Sequence, residues 1–435
     1  MKETVYRRYL LTVLLSVLAF NYVDRLALGL VLQDIKVELN LSDTQLGFLT
    51  GLAFAVFYSV MGLPIARWAD RGDRVLIISV TTGIWSAAVA LCGAIASFSQ
   101  LLLVRIGVAV GEAGCIPPAH SLIADYFTRA ERPRAVGTYM LGAPLSMVVG
   151  YFLAGWLNEF YGWRRMFVIL GLPGLVLSAL AWFTLKEPRR GASPSRTAPP
   201  PEALEAPSAA GAPPQQPGFR TVLRTLWTNA TFRHLLFCFA VSSFFGYGIL
   251  QWQPAFFIRS FGLKTGELGS WLALIYGVGG LLGTHFGGAW ASRRAADNEA
   301  LQLKAMAIIF SSLGAISVAM YLAPSRYEAF GCLAFVATAG ALINGPLFAT
   351  IQTLVPQRMR AMSIAMLYLF ANLIGMGLGP LVAGALSDSF RHWAGEESLR
   401  YALLTLCPGY VWSGWHLWRA STTVERDLKV VLSVD

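Results

Sequence analysis

The chain alternates between long apolar runs and short polar segments. Windows of about 20 apolar residues are long enough to cross roughly 30 Å of hydrocarbon as helices. We place twelve such spans, numbered first to twelfth below, at residues 9–32, 44–66, 75–97, 100–123, 135–157, 164–185, 233–257, 267–290, 302–323, 328–352, 360–386 and 398–419. The pattern predicts an all-α membrane protein.

One polar stretch interrupts the spans after the sixth. Residues 187–218 are rich in Pro and Ala and include the run PSRTAPPPEALEAPSAAGAPPQQP. Such a segment cannot bury a core, so we expect a largely disordered linker. The chain then divides into a six-helix half at 1–185, a cytoplasmic linker at 186–232, a second six-helix half at 233–419 and a cytoplasmic tail at 420–435.

Composition supports the membrane assignment. Of the 435 residues, 55% are hydrophobic and 13% are charged, whereas about 25% are charged in soluble domains. The net charge of +10 comes from basic residues between spans, which argues against nucleic-acid binding. Of the 34 Lys and Arg residues, 24 lie on the side of the termini and the linker, so the positive-inside rule predicts that both termini are cytoplasmic.

Four charges interrupt the apolar runs of the first and fourth spans. Arg105 and Glu112 are seven residues apart, which places them on one face of a helix. Asp24 and Arg25 lie in the motif NYVDR of the first span. A charge at membrane depth is costly unless it is paired, so we expect the four to meet. They could form a structural ion-pair network, but intramembrane acids beside arginines favour an ion or proton pathway.

Two loops repeat weakly. ARWADRGDR at 66–74 follows the second span, and GGAWASRR at 287–294 follows the eighth. This layout resembles the major facilitator superfamily, in which two parallel six-helix halves form one fold. The first loop is similar to the superfamily's loop between its second and third helices, although Ala66 and Asp73 stand where glycine is usual. We expect Asp70, Arg71 and Arg134 to form a gate on the cytoplasmic side; the alternative is a simple positive-inside anchor.

A Gly/Pro pattern and several polar residues in the spans each allow two interpretations. Gly142-x-Pro144 in the fifth span is typical of a bend, but it could equally be a small-residue packing site. Asn21, Tyr22, Tyr139 and Tyr368 are predicted to contact substrate in a cavity; the alternative is that they form hydrogen bonds between helices.

The motifs resemble one branch of the superfamily. NYVDR, RIGVAVGEAG with PPAHSLIADYF, and KEPRRG at 186–191 are similar to the Spinster family of lysosphingolipid and lysophospholipid transporters, in a bacterial form. The resemblance is clearest in the first half. It implies proton coupling through Asp24 and Glu112, a lipid-like amphiphile as cargo held by Arg25 and Arg105, and a bacterial inner-membrane location.

A second branch remains open. NYVDR, the GEAG-type fourth span and GWRRMF at 162–167 also resemble the anion:cation symporters, which carry sugar acids. An aromatic-rich cavity wall with a side opening would favour lipid, and a closed, polar pocket would favour the sugar acid. A membrane receptor or scaffold is the third possibility, but a scaffold needs no acids at membrane depth.

The sequence also bears on cofactors and partners. It has no phosphate loop, metal-ligand spacing or nucleophile triad, so we expect neither an enzyme nor a cofactor or metal. The five cysteines lie in apolar runs, where small hydrophobic roles are usual. We expect a monomer driven by the proton gradient.

Overall fold

The computed structural model describes residues 3–188, 226–295, 298–355 and 367–432, together with residues 224, 359 and 363. This part of the chain is helical and contains no strand. The longer helices are α1 Glu3–Leu30, α2 Leu32–Leu39, α3 Asp43–Phe48, α4 Phe54–Arg71, α5 Arg74–Leu91, α6 Phe98–Glu112, α7 Ile116–Tyr126, α8 Arg132–Met140, α9 Gly142–Thr184, α10 Ala230–Phe261, α11 Thr265–Arg294, α12 Glu299–Leu322, α13 Arg326–Thr353, α14 Gly379–Ala394, α15 Ser398–Leu406, α16 Pro408–Ser421 and α17 Val424–Leu432.

The helices account for the predicted spans. Ten continuous runs in the described part of the chain are long and apolar enough to cross a membrane. Two of them, Arg132–Thr184 and Leu367–Ser421, have 53 and 55 residues and would each be about 80 Å long if straight. Each contains a glycine with positive φ where the chain reverses, Gly162 at 77° and Gly395 at 57°. Each long run therefore holds two spans, and the all-helical, multi-pass fold is confirmed.

Several spans are interrupted along their length. The fourth breaks at 113–115, directly after Glu112. The fifth breaks at Leu141, next to the Gly142-x-Pro144 pattern that predicts a bend. The eleventh widens into π-helical turns over Ala371–Leu378. At the first two breaks the backbone still forms turn hydrogen bonds, from Gly114 N–H to the Gly111 carbonyl at 3.1 Å and from Leu141 N–H to the Thr138 carbonyl at 3.2 Å.

The two halves touch on one side of the membrane. We call this the far side, opposite the chain ends, and the other the terminal side. A Cβ at Gly47 would lie 2.4 Å from the Pro380 carbonyl oxygen, and one at Gly155 would lie 2.5 Å from that of Thr265. The described residues therefore bring the two halves into close contact on the far side.

The packed structure of the first half continues beyond its predicted end at residue 185. The Glu187 side chain, 1% exposed, pairs with Arg74, which is fully buried and also pairs with Asp125 at 2.7 Å. Most of the predicted linker, residues 189–223, lies outside the described residues. At the other end, the predicted tail forms α17, in which Asp427 accepts hydrogen bonds at 2.8 Å from the Thr231 backbone and hydroxyl at the start of α10.

Candidate functional site: a charged cluster beside a central cavity

The four intramembrane charges meet as two ion pairs. Arg105 Nη1 lies 2.5 Å from Asp24 Oδ2, and Arg25 Nη2 lies 2.5 Å from Glu112 Oε2. A second Arg25 bond runs from Nε to the same Glu112 oxygen at 2.7 Å. We call these four residues the central ion cluster. The sequence predicted that they meet but did not predict which acid pairs with which arginine.

The local sequence explains the arrangement. Asp24 and Arg25 are consecutive, so their side chains leave the first span about 100° apart and meet partners at different levels of the fourth span. Arg105 and Glu112 project from one face of that span because seven residues make about two turns. Asp24, Arg105 and Glu112 are each no more than 2% exposed. The Arg25 side chain is 21% exposed.

Aromatic rings surround the Arg25 guanidinium. Its central carbon lies 4.6 Å from the Phe54 ring centre, 4.9 Å from that of Tyr58 and 5.2 Å from that of Tyr22. These distances are within the range of cation–π attraction. On the side of the second half, Arg25 Nη1 lies 3.9 Å from the Met376 sulfur. Arg25 therefore lies where the two halves face each other.

A cavity of about 560 Å³ lies between the halves, next to the central ion cluster. Both halves line it, and most of its wall is aromatic, methionine or aliphatic. The lining residues are Tyr22, Arg25, Leu26, Leu28, Gly29, Thr50, Phe54, Tyr58, Arg105, Ile116, His120, Met140, Met147 and Tyr151 from the first half, and Tyr247, Leu250, Gln251, Tyr368, Asn372, Met376 and Pro380 from the second. The cavity has an apolar wall and a cationic end.

The predicted substrate-contact residues fall into two groups. Tyr22 and Tyr368 line the cavity from opposite halves. Asn21 is 1% exposed and its amide lies 3.6 Å from the Cys115 sulfur, so it contacts another helix instead. Tyr139, also 1% exposed, packs edge-on against the His120 ring of the cavity wall. Asn21 and Tyr139 thus fit the alternative of contacts between helices.

The predicted cytoplasmic gate is described only in part. Arg71 and Arg134 are exposed on the terminal side, while the side chain of Asp70 lies outside the described residues. The gate stays a prediction. In the same loop, Asp73 caps α5 by accepting a hydrogen bond from the Leu76 backbone at 2.8 Å.

The far side carries an ion cluster that sequence reasoning missed. Asp43, 1% exposed, pairs with Lys36 at 2.6 Å and with Arg259 through two 2.7 Å bonds. It also accepts a 2.6 Å hydrogen bond from Ser387. Asp388 accepts hydrogen bonds from the Asp43 backbone at 3.0 Å and from Thr44. We call Lys36, Asp43, Arg259, Ser387 and Asp388 the far-side ion cluster; it joins the two halves.

Apolar helices in two halves around a cavity with buried charges are the layout of a membrane transporter. The chain belongs to the Major Facilitator Superfamily, whose family model matches residues 14–380. An MFS-type efflux pump from Mycolicibacterium smegmatis is 33% identical over 417 residues, covering 96% of this chain and 93% of the relative. The probable L-galactonate transporter of Escherichia coli is 26% identical, covering 88% and 82% of the two chains.

A solved structure extends the resemblance. A bacterial homologue of the human lysosomal transporter Spinster, in an inward-facing and unoccupied conformation, superposes with a TM-score of 0.82. It is 30% identical, and the match covers 97% of this chain and 98% of that one. The predicted Spinster resemblance is confirmed and is not limited to the first half. The similar proteins are transporters, which confirms the prediction that this protein is not an enzyme.

Proposed function

We propose that the protein is a proton-coupled secondary transporter that moves a lipid-like amphiphile with an anionic headgroup. The observation that carries the proposal is the position of Arg25. Its side chain is partly exposed and lines the cavity, and it also pairs with Glu112, whose side chain is fully buried. The Arg25 guanidinium can therefore bind either an anionic ligand in the cavity or the Glu112 carboxylate behind it.

Coupling follows from competition for this arginine. An anionic headgroup that reaches Arg25 competes with the Glu112 carboxylate for the same N–H donors. A carboxylate that loses its arginine at membrane depth is costly, so Glu112 takes up a proton. Anion and proton binding then favour each other, and this linkage is reciprocal. Asp24 keeps its own partner, Arg105, and is the second candidate for the proton carrier.

The cavity wall supports an amphiphile as the cargo. Aromatic rings and the sulfur-containing side chains of Met140, Met147 and Met376 fit an acyl chain, because methionine adapts to flexible apolar ligands. A sugar acid has no acyl chain and would leave this aromatic and methionine surface without an apolar partner, although the tyrosine hydroxyls of the wall offer it hydrogen bonds. The sugar acid remains the second candidate, supported by the L-galactonate relative and by Gln251 and Asn372 in the wall.

During the proposed transport cycle, the far side opens while the terminal side closes. Residues 1–185 and 233–419 rock as rigid bodies, the far-side ion cluster separates, and the terminal side closes through Asp70, Arg71 and Arg134. In this proposal the protein works as a monomer in a bacterial inner membrane with both termini cytoplasmic. The proton gradient supplies the energy without a cofactor.

The proposal is tested in proteoliposomes with an imposed pH gradient. Flux of a fluorescent lysophospholipid and of L-galactonate is measured in parallel, together with equilibrium binding. Glu112→Gln is expected to bind the lysophospholipid within about twofold of wild type but to lose the flux response to the gradient. The control is Glu267→Gln, because this carboxylate is 40% exposed and lies in the second half.

Three outcomes decide between the alternatives. Unchanged pH dependence of Glu112→Gln would move the proton-carrier role to Asp24 or remove it. Asp24→Asn should behave like Glu112→Gln if both acids carry the proton, and should mainly lose stability if Asp24 only holds Arg105. Gradient-driven flux of L-galactonate without flux of lysophospholipid would replace the lipid cargo by the sugar acid.

A further inference from the structure

A second concave site lies wholly within the second half. It is a groove of about 580 Å³ between the terminal-side parts of the eighth, ninth and tenth spans. The apolar wall comprises Phe286, Trp290, Met306, Ile309, Leu342 and Pro346. Arg293 contributes the positive charge. The groove shares no lining residue with the central cavity.

The groove follows one face of the eighth span. Phe286, Trp290 and Arg293 are spaced at i, i+4 and i+7, so they form one stripe about 10 Å long. Phe286 is 58% exposed and Trp290 is 38% exposed. Gly287 brings the eighth and tenth spans together, since a Cβ there would lie 2.2 Å from the Leu342 carbonyl oxygen. The rings therefore face outward over a tight contact between two helices.

The repeated loops of the two halves differ in one buried charge. Aligning the repeated loops matches Trp68 with Trp290, and Arg74 lies six residues after Trp68. The Arg74 side chain is fully buried and pairs with Glu187 and Asp125. Six residues after Trp290 the sequence has Ala296. The second half thus keeps the tryptophan of the repeat but lacks the arginine that binds the acids in the first half.

We propose that this groove binds one anionic phospholipid from the leaflet on the terminal side. The acyl chain lies along Phe286, Trp290 and Met306, and the phosphate contacts Arg293. An exposed apolar groove in a bilayer is in contact with acyl chains, and basic residues at its interfacial end select anionic headgroups. Lys304 is exposed near the same end of the ninth span and adds positive charge. Trp290 is a residue type that favours the membrane interface.

The experiment measures retained lipid on the full chain by native mass spectrometry. Protein in a mild detergent is incubated with an equimolar mixture of phosphatidylglycerol and phosphatidylcholine. Wild type is expected to retain one phosphatidylglycerol with about fivefold preference, the factor that corresponds to about 1 kcal/mol per basic residue near the surface. Arg293→Gln is expected to lose this preference. Ala305→Trp places a ring in the groove and should reduce retention of both lipids.

Controls separate the site from general charge and from soluble anions. Arg129→Gln removes an exposed arginine from the first half and should leave the preference unchanged. Excess inorganic phosphate should not displace the lipid, and displacement would mean that the site takes a soluble anion. Equal retention of the two lipids by wild type would overturn the proposal. The same preference in Arg293→Gln as in wild type would also overturn it.

Discussion

Two buried ion clusters in this protein both pair carboxylates with arginine, and they differ in what they connect. In the central ion cluster, both pairs join the first span to the fourth within one half. In the far-side ion cluster, Asp43 of the first half binds Arg259 of the second. Rocking of rigid halves must therefore break the second cluster and can leave the first intact. In the proposed mechanism, the central cluster responds to protons and ligand, and the far-side cluster responds to conformation.

The largest loss of stability is expected for Arg105→Ala. It leaves Asp24 buried without its cation, and removing one partner of a buried ion pair costs about 3–5 kcal/mol. Thermal unfolding in detergent should show this loss, and substrate binding should be lost as well. The double variant Asp24→Asn, Arg105→Gln should recover much of the stability.

The matched control for this variant is Arg391→Ala. Arg391 pairs with Glu396 on the surface, where the two side chains are 52% and 74% exposed. Exposed ion pairs contribute at most about 1 kcal/mol. If Arg105→Ala were as stable as Arg391→Ala, the central cluster would contribute nothing to folding.

A conformational effect is expected for Asp43→Asn. The change weakens the charged hydrogen bonds to Arg259 and Lys36, each worth about 1.5–3 kcal/mol. Loss of one bond to Arg259, which joins the two halves, would raise the population open to the far side roughly 10- to 150-fold. The measurement is labelling of a cysteine at Thr50, in the cavity wall, by an impermeant reagent added from the far side. Glu267→Gln, on the same side but outside the cluster, should label like wild type.

A steric variant tests the same closure without changing charge. Gly47→Ala would place a methyl group 2.4 Å from the Pro380 carbonyl oxygen, so the two halves must move apart. Overpacking of this kind typically costs about 1–3 kcal/mol. Far-side labelling at position 50 should rise, by less than in Asp43→Asn. Gly280→Ala is the control because its Cβ has open space; equal labelling of the two variants would disprove the contact.

The smallest expected effect concerns the exposed ion pair between Arg7 and Glu131 in the first half. A hydrogen bond from Arg7, and further bonds from Thr128, lower the pKa of Glu131 from 4.5 to about 2. Because the folded pKa is depressed, the stabilisation is present above pH 4.5 and is lost as the pH falls toward 2. Hydrogen exchange of residues 128–134, corrected for intrinsic rates, should accelerate across this window. In Glu131→Gln the acceleration should be absent; its persistence would assign it to another group.

The sequence was informative where the membrane imposes a strong constraint. The spans could be located because each needs about 20 apolar residues. The central ion cluster could be predicted because Arg105 and Glu112 are costly at membrane depth and share a helix face. The partners of each acid depend on how the first and fourth spans are rotated against each other, which the sequence does not encode locally.

The far-side ion cluster was missed for a related reason. Asp43 and Arg259 lie at span ends, where charged residues commonly set topology and need no partner. The aromatic surroundings of Arg25 were also missed, although Phe54 and Tyr58 are four residues apart and so share one face of the second span. That spacing was the available signal, but it is equally common in ordinary packing.

The reversal of the chain at Gly162 limits which insertions and deletions the protein can accept there. The fifth and sixth spans join there without a loop, and directly after it Trp163 and Arg164 bind Glu38 of α2 at 2.5 and 2.7 Å. One inserted residue would turn the sixth span by about 100° and carry both side chains away from Glu38. This connection should therefore accept neither insertions nor deletions, and an epitope tag belongs elsewhere on the far side.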